Sequence, residues 1–146
     1  MNLSMRKVRP EDQAALDSVM QVISKEPVQD RTRAAELIEK VAGDPQKYLL
    51  AAQDLETGTL CGTLLGVVFE DICGDCRPIL LVENVAVLPE YQGKGVGKAM
   101  FQEIERWGKE QDCHYEMLVS GLQRTGAHKF YNALGFDEVK GFKKYL

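Results

Sequence analysis

The chain has 146 residues, 45% of them hydrophobic and 27% charged. Those proportions fit an ordinary folded domain and exclude disordered, collagenous and coiled-coil classes. The formal net charge of −4 gives no overall basic footprint for nucleic acid or anionic membrane, so any polyanion must be held by a local device.

No apolar run approaches the roughly 20 residues that span a bilayer, and Met1–Lys7 lacks the apolar stretch of a secretory signal. The expectation is one cytoplasmic domain over residues 1–146, its four cysteines mostly reduced thiols. Leu3–Val8 alternates as a strand should, and Arg9-Pro10-Glu11-Asp12 breaks it. Leu16, Val19, Met20 and Ile23 then recur at helical spacing. Asp30 is placed to cap a second helix, with Ala34, Leu37, Ile38 and Val41 as its buried stripe and Gly43-Asp44-Pro45 as its stop. Tyr48–Gln53 and Thr59–Glu70 read as a hairpin around a turn that ends in Gly58.

Ile79–Leu88 is a long apolar run interrupted by Glu83 and Asn84. A helix follows from about Gly95 to Gln111, with Val96, Met100, Ile104 and Trp107 on one face. His114–Val119 is a further strand. Thr125 stands where a cap would start a short helix carrying Ala127, Phe130, Tyr131 and Leu134, with Gly135 as its C′ residue. Phe136–Leu146 is predicted to return as a terminal strand. The pattern is α+β, with helices and strands mixed about one central sheet.

The most informative segment joins the strand ending near Pro89 to the helix after Gly95. It reads Gln92-Gly93-Lys94-Gly95-Val96-Gly97-Lys98. Glycines let the backbone turn its N–H groups inward with no Cβ to block an oxygen. A helix N-terminus adds unpaired donors and a partial positive charge, and Lys94 and Lys98 add full charges. Such a device lets an acidic protein hold phosphate. A Walker A loop is excluded, because Gly97-Lys98 is followed by Ala99 and Gln92 stands five positions before Gly97. A dinucleotide fingerprint fails at Lys98 and Met100. The pattern that remains is Gln-x-x-Gly-x-Gly.

With the strand Val82–Val87 and the Leu88-Pro89-Glu90-Tyr91 lead-in, this turn resembles the acetyl-CoA-binding core of the GCN5-related N-acetyltransferase (GNAT) superfamily. Ala127-His128-Lys129-Phe130-Tyr131-Asn132-Ala133-Leu134-Gly135-Phe136 is similar to that family's A-x-x-F-Y-x-x-L-G-F segment. The resemblance implies a central, mostly antiparallel, twisted sheet of about six or seven strands flanked by about four helices. It also implies acetyl-CoA as co-substrate and transfer of acetyl to a primary amine of a small molecule or peptide, and it allows a homodimer. Coenzyme contacts then fall on Val85, Ala86, Val87, Gln92, Gly93, Lys94, Gly95, Val96, Gly97, Lys98 and Tyr131. The backbone of Val85 and Val87 faces the pantetheine arm where strand 82–87 splays from its neighbour.

Acetyl transfer needs a neutral amine, a stabilised carbonyl oxygen and a proton for the departing thiolate. A phenol keeps its proton at neutral pH, which suits Tyr131 as the acid; its spacing equally suits a core aromatic. Glu83, a carboxylate within an apolar strand, is either a base for the amine, directly or through water, or a structural hydrogen-bond anchor. A β-bulge here would change the face that Glu83 presents. Arg124 stands where the family often has Asn. Val82-Glu83-Asn84-Val85-Ala86-Val87 and the Gln-Gly-Lys-Gly turn most resemble amino-sugar acetyltransferases, but Leu118-Val119-Ser120 lacks the acidic residue common in them.

Cys73-Gly74-Asp75-Cys76 has the spacing of half a zinc site, but Cys61, Cys113, His114 and His128 supply no second close pair. No metal is expected. A non-catalytic acetyl-CoA sensor or assembly module on the same scaffold is the alternative function.

Overall fold

The computed structural model describes residues 1–146 and contains one sheet of five strands in the order β1-β2-β3-β4-β5. The strands are β1 Leu3–Lys7, β2 Lys47–Asp54, β3 Thr59–Phe69, β4 Ile79–Val87 and β5 Tyr115–Met117. Neighbours are antiparallel except β4 and β5, which run parallel. The helices are α1 Gln13–Met20, α2 Arg31–Ala42, α3 Val96–Glu110 and α4 Thr125–Ala133.

Strand periodicity sorts the sheet's side chains into two cores. Leu50, Leu64, Val68, Leu80 and Val82 pack with Val96, Met100, Phe101, Ile104 and Trp107 of α3. On the other face Val8, Ala51, Leu60 and Ala86 pack with Leu16 and Val19 of α1 and Ile38 of α2. Each large apolar side chain buried in this way contributes about 1.5–3 kcal/mol. Helix α3 lies close to β3 because glycines face it. A Cβ at Gly62 would stand 2.6 Å from the Met100 sulfur, and one at Gly66 would stand 2.5 Å from Ile104. Asp30 caps α2 as expected, accepting the Arg33 N–H at 3.0 Å, and Gly135 follows α4 at φ 97°.

Three expectations are corrected. The sheet has five strands, not six or seven, because residues 136–146 form no strand. Their apolar residues Val139, Phe142 and Tyr145 recur every third position, so no period-two face exists to bury, and all three are more than 80% exposed. The strand expected over His114–Val119 is only Tyr115–Met117. Thr125 is the first residue of α4, and Arg124 holds the cap position without a side-chain hydrogen bond.

Candidate active site

In β4, Val82 packs in the α3 core and Ala86 in the α1/α2 core. Regular alternation would put both on one face, so the strand must change parity between them. Asn84 is where it does so. Leu65 pairs with Glu83 and Thr63 with Ala86, leaving two β4 residues against one on β3. Asn84 has φ 55°, a left-handed conformation that Asn tolerates better than most residues. Glu83 follows Val82 and therefore lies on the α1/α2 face, where it is half-buried. Val85 and Val87 are half-buried beside the α3 core, and Ala86 is buried on the opposite face.

The parallel ladder between β4 and β5 covers only Ile79–Leu81 and Tyr115–Met117. Residues 82–87 therefore have no strand on that edge. The Leu88 N–H bonds the Cys61 carbonyl of β3 at 2.9 Å, so alternation turns the backbone groups of Val87, and of Val85 before it, toward the open edge. The Val87 carbonyl already accepts the Gln92 side-chain amide at 2.9 Å. Gln92 thus clamps the strand end to the turn.

Beyond Gln92 the chain turns through Gly93 at φ 74° and Gly95 at φ 85°, and a Cβ at either would meet nothing within 4 Å. Gly95 is the N-cap of α3, so the helix starts at Val96. The first α3 amide with a backbone acceptor is Ala99, bonded to the Gly95 carbonyl at 3.0 Å. The amides of residues 93–98 have no protein acceptor. The turn is pinned from behind: the Tyr91 hydroxyl donates to the buried Asp54 at 3.2 Å. The Lys94 ammonium lies 5.8 Å from the centre of the Tyr91 ring, and Lys94 and Lys98 are both exposed. An open, positively polarised row of N–H donors fits a diphosphate such as that of a coenzyme A thioester.

Gly97 has a different role from its two neighbours. It is helical, and a Cβ there would stand 2.9 Å from the Phe130 ring. Gly97 therefore lets α4 seat against the start of α3. Tyr131, next in line, makes edge contacts with Phe101 at 5.9 Å, Phe130 at 5.4 Å and Phe136 at 5.8 Å between ring centres. Burial raises its hydroxyl above the ordinary tyrosine pKa, opposed only by the charge of Arg124. No side-chain hydrogen bond engages that hydroxyl. His128 instead bonds the Gly121 carbonyl at 2.9 Å, tying α4 to its lead-in.

A cavity of about 410 Å³ lies between α1, α2 and the loop joining them, with Leu16, Met20 and Ile38 in its wall beside Asp17 and Glu26. Asp17 accepts the Val28 N–H at 2.9 Å and so shapes the loop. This cavity is on the sheet face that Glu83 shares. No helix is long and apolar enough to cross a membrane.

The family model for the acetyltransferase (GNAT) family matches residues 15–136. An aminoglycoside N(6')-acetyltransferase type 1 of Salmonella typhimurium is 30% identical over 66 residues, covering 45% of this chain and 46% of that protein. The match thus spans under half of that curated relative. Among solved structures, a putative acetyltransferase from Agrobacterium tumefaciens superposes with a TM-score of 0.88 at 23% identity, covering 98% of this chain and 99% of that one. AAC(6')-Iy, in complex with the bisubstrate analogue CoA-S-monomethyl-acetylneamine, superposes with a TM-score of 0.82 at 19% identity, covering 100% and 98%. With its bulged strand, glycine turn and Phe-Tyr helix in the order that the family model matches, the chain belongs to the GNAT acetyltransferase family.

Proposed function

We propose that this protein transfers acetyl directly from the thioester of acetyl-CoA to a primary amine of a small molecule or peptide. The observation that carries the reading is the run of unpaired amides at residues 93–98, beside a β4 edge left free from residue 82. The diphosphate binds those amides with Lys94 and Lys98 adding charge, and the pantetheine arm lies along the edge offered by Val85, Ala86 and Val87. Glu83, on the face of the α1/α2 cavity, takes a proton from the ammonium, directly or through water. The neutral nitrogen attacks the thioester carbon, the C–S bond breaks, and the Tyr131 hydroxyl donates its proton to the leaving sulfur; the proton that the acylated nitrogen sheds returns through water to the Tyr131 oxygen. A hydroxyl held protonated by burial and free of protein partners suits that donation.

Asp17 and Glu26 beside the apolar wall of the cavity support a cationic acceptor, in line with the aminoglycoside named for the curated relative. Association of two copies belongs to the same proposal, supported by the exposed Val139, Phe142 and Tyr145, and sedimentation of the pure protein tests it. The deciding experiment offers acetyl-CoA with a panel of aminoglycosides, polyamines and peptide amines while following thiol release. Steady release with one class is expected. Coenzyme binding without release across the panel would favour the sensor instead. Gly95→Glu, which puts a carboxylate into the turn, should abolish coenzyme binding at a stability cost of about 1–2 kcal/mol, since a side chain at φ 85° is strained.

A further inference from the structure

The β3–β4 turn carries two cysteines that the proposed reaction does not use. Cys73 and Cys76 are both exposed free thiols, and they form the two ends of one four-residue turn. The Cys76 N–H bonds the Cys73 carbonyl at 3.1 Å, and Gly74 takes φ 64° between them. A turn closed in this way holds its end Cα atoms within about 7 Å, and a disulfide needs about 4.4–6.8 Å. The turn is braced on both sides. Asp71 accepts the Cys73 N–H at 3.3 Å, and Asp75 accepts the Arg77 N–H at 3.3 Å. Arg77 in turn donates to the Cys113 carbonyl at 3.1 Å. No cluster of three or more His, Cys, Asp or Glu side chains accompanies the pair, so the sulfurs lack the further ligands of a metal centre. Two accessible cysteines whose Cα atoms one hydrogen-bonded turn holds this close are suited to redox chemistry with each other.

We propose that Cys73 and Cys76 form a reversible dithiol–disulfide pair, oxidised by a low-molecular-weight disulfide of the glutathione class. One cysteine thiolate attacks a sulfur of the reagent, expelling one small thiolate and leaving a mixed disulfide. The second cysteine thiolate attacks the protein-side sulfur of that bond. The Cys73–Cys76 bond forms, and the second small thiolate departs. The two protons lost by the protein thiols end on the two small thiols, so one disulfide is reduced as one is made. An exposed bond of this kind is of the readily reduced, regulatory type. It locks the turn that carries Arg77, at the far end of β4 from the coenzyme turn, roughly 25 Å away along the strand.

The test uses the whole chain and oxidised glutathione, followed by unfolding, alkylation, thiol counting and peptide mass mapping. Free thiols should fall from four to two. The chain should lose two hydrogen masses, with Cys73 and Cys76 joined within one peptide, and dithiothreitol should restore both thiols. Cys73→Ser should instead stop at a stable glutathione adduct on Cys76. Lasting adducts on both cysteines of one wild-type chain would overturn the proposal, as would a bond from either to Cys113, or Cys73 and Cys76 both remaining free thiols. None of these readouts depends on acetyl transfer.

Discussion

Tyr131 lies among three aromatic rings, and that apolar surrounding keeps its hydroxyl protonated, as the proposed acid requires. Burial penalises the phenolate, and the folded pKa is raised, so the donor form persists through neutral pH and beyond the ordinary tyrosine range. Activity should therefore show no loss attributable to this group below about pH 10. Tyr131→Phe keeps the ring contacts and removes the proton. Its turnover should fall about a hundredfold with the coenzyme Kd nearly unchanged, measured by steady-state kinetics and calorimetry; equal turnover in the two proteins removes Tyr131 from the reaction. Gly97→Ala acts at one remove. Its methyl meets Phe130 at 2.9 Å, so α4 must shift and turnover should drop with little change in the amides of residues 93–95. Glu83→Gln should lower kcat/KM at neutral pH and lose less at alkaline pH, where a growing share of the amine is already neutral.

At the scale of elements, β5 is held to the body by its short ladder to β4 and by contact with α3, where two carboxyls meet. Glu116 of β5 and Glu105 of α3 line one cavity of about 200 Å³ with Lys109, Cys113, His114 and Tyr115. One Glu116 oxygen is buried without a hydrogen-bond partner. Burial, then the neighbouring Glu105, pushes the Glu116 carboxyl up to about 8. Between the unfolded carboxyl value and that folded one, the native state binds the extra proton, so stability falls as pH rises through this window. Thermal melts should show that decline in the wild type and a flatter profile in Glu116→Gln, which should melt a few degrees higher at pH 8.

The sequence made most elements legible because their signals were local. Asp30, the α3 stripe and Gly135 each act within a few residues of themselves. The terminal segment 136–146 was misread because its apolar content suggested a strand while its three-residue spacing did not. The shortness of β5 was invisible, since where two parallel strands part depends on what lies between them rather than on either sequence. Within the site, the glycine turn was readable from chain chemistry, but Gly97 was not separable from its neighbours. Its glycine answers to Phe130, more than thirty residues away. The bulge left one trace, an Asn inside an apolar strand.

For the molecule as a whole, the sheet serves as a partition with α1 and α2 on one side and α3 and α4 on the other. Anything that binds the native state alone must stabilise it by mass action. Coenzyme at a hundred times its Kd should add about 2.7 kcal/mol to unfolding, and Gly95→Glu should abolish that gain in a thermal melt. A gain retained by Gly95→Glu would mean that the coenzyme binds elsewhere.

The parity change at Asn84 has a kinetic corollary. On the proposed reading one strand offers its margin at Val85 and Val87 to the donor and, at Glu83, its opposite surface to the acceptor, so the two reactants would approach separately and neither need vacate for the other. Initial rates measured against both concentrations should give intersecting double-reciprocal lines. Parallel lines would mean that the acetyl group pauses on the protein, contrary to direct transfer.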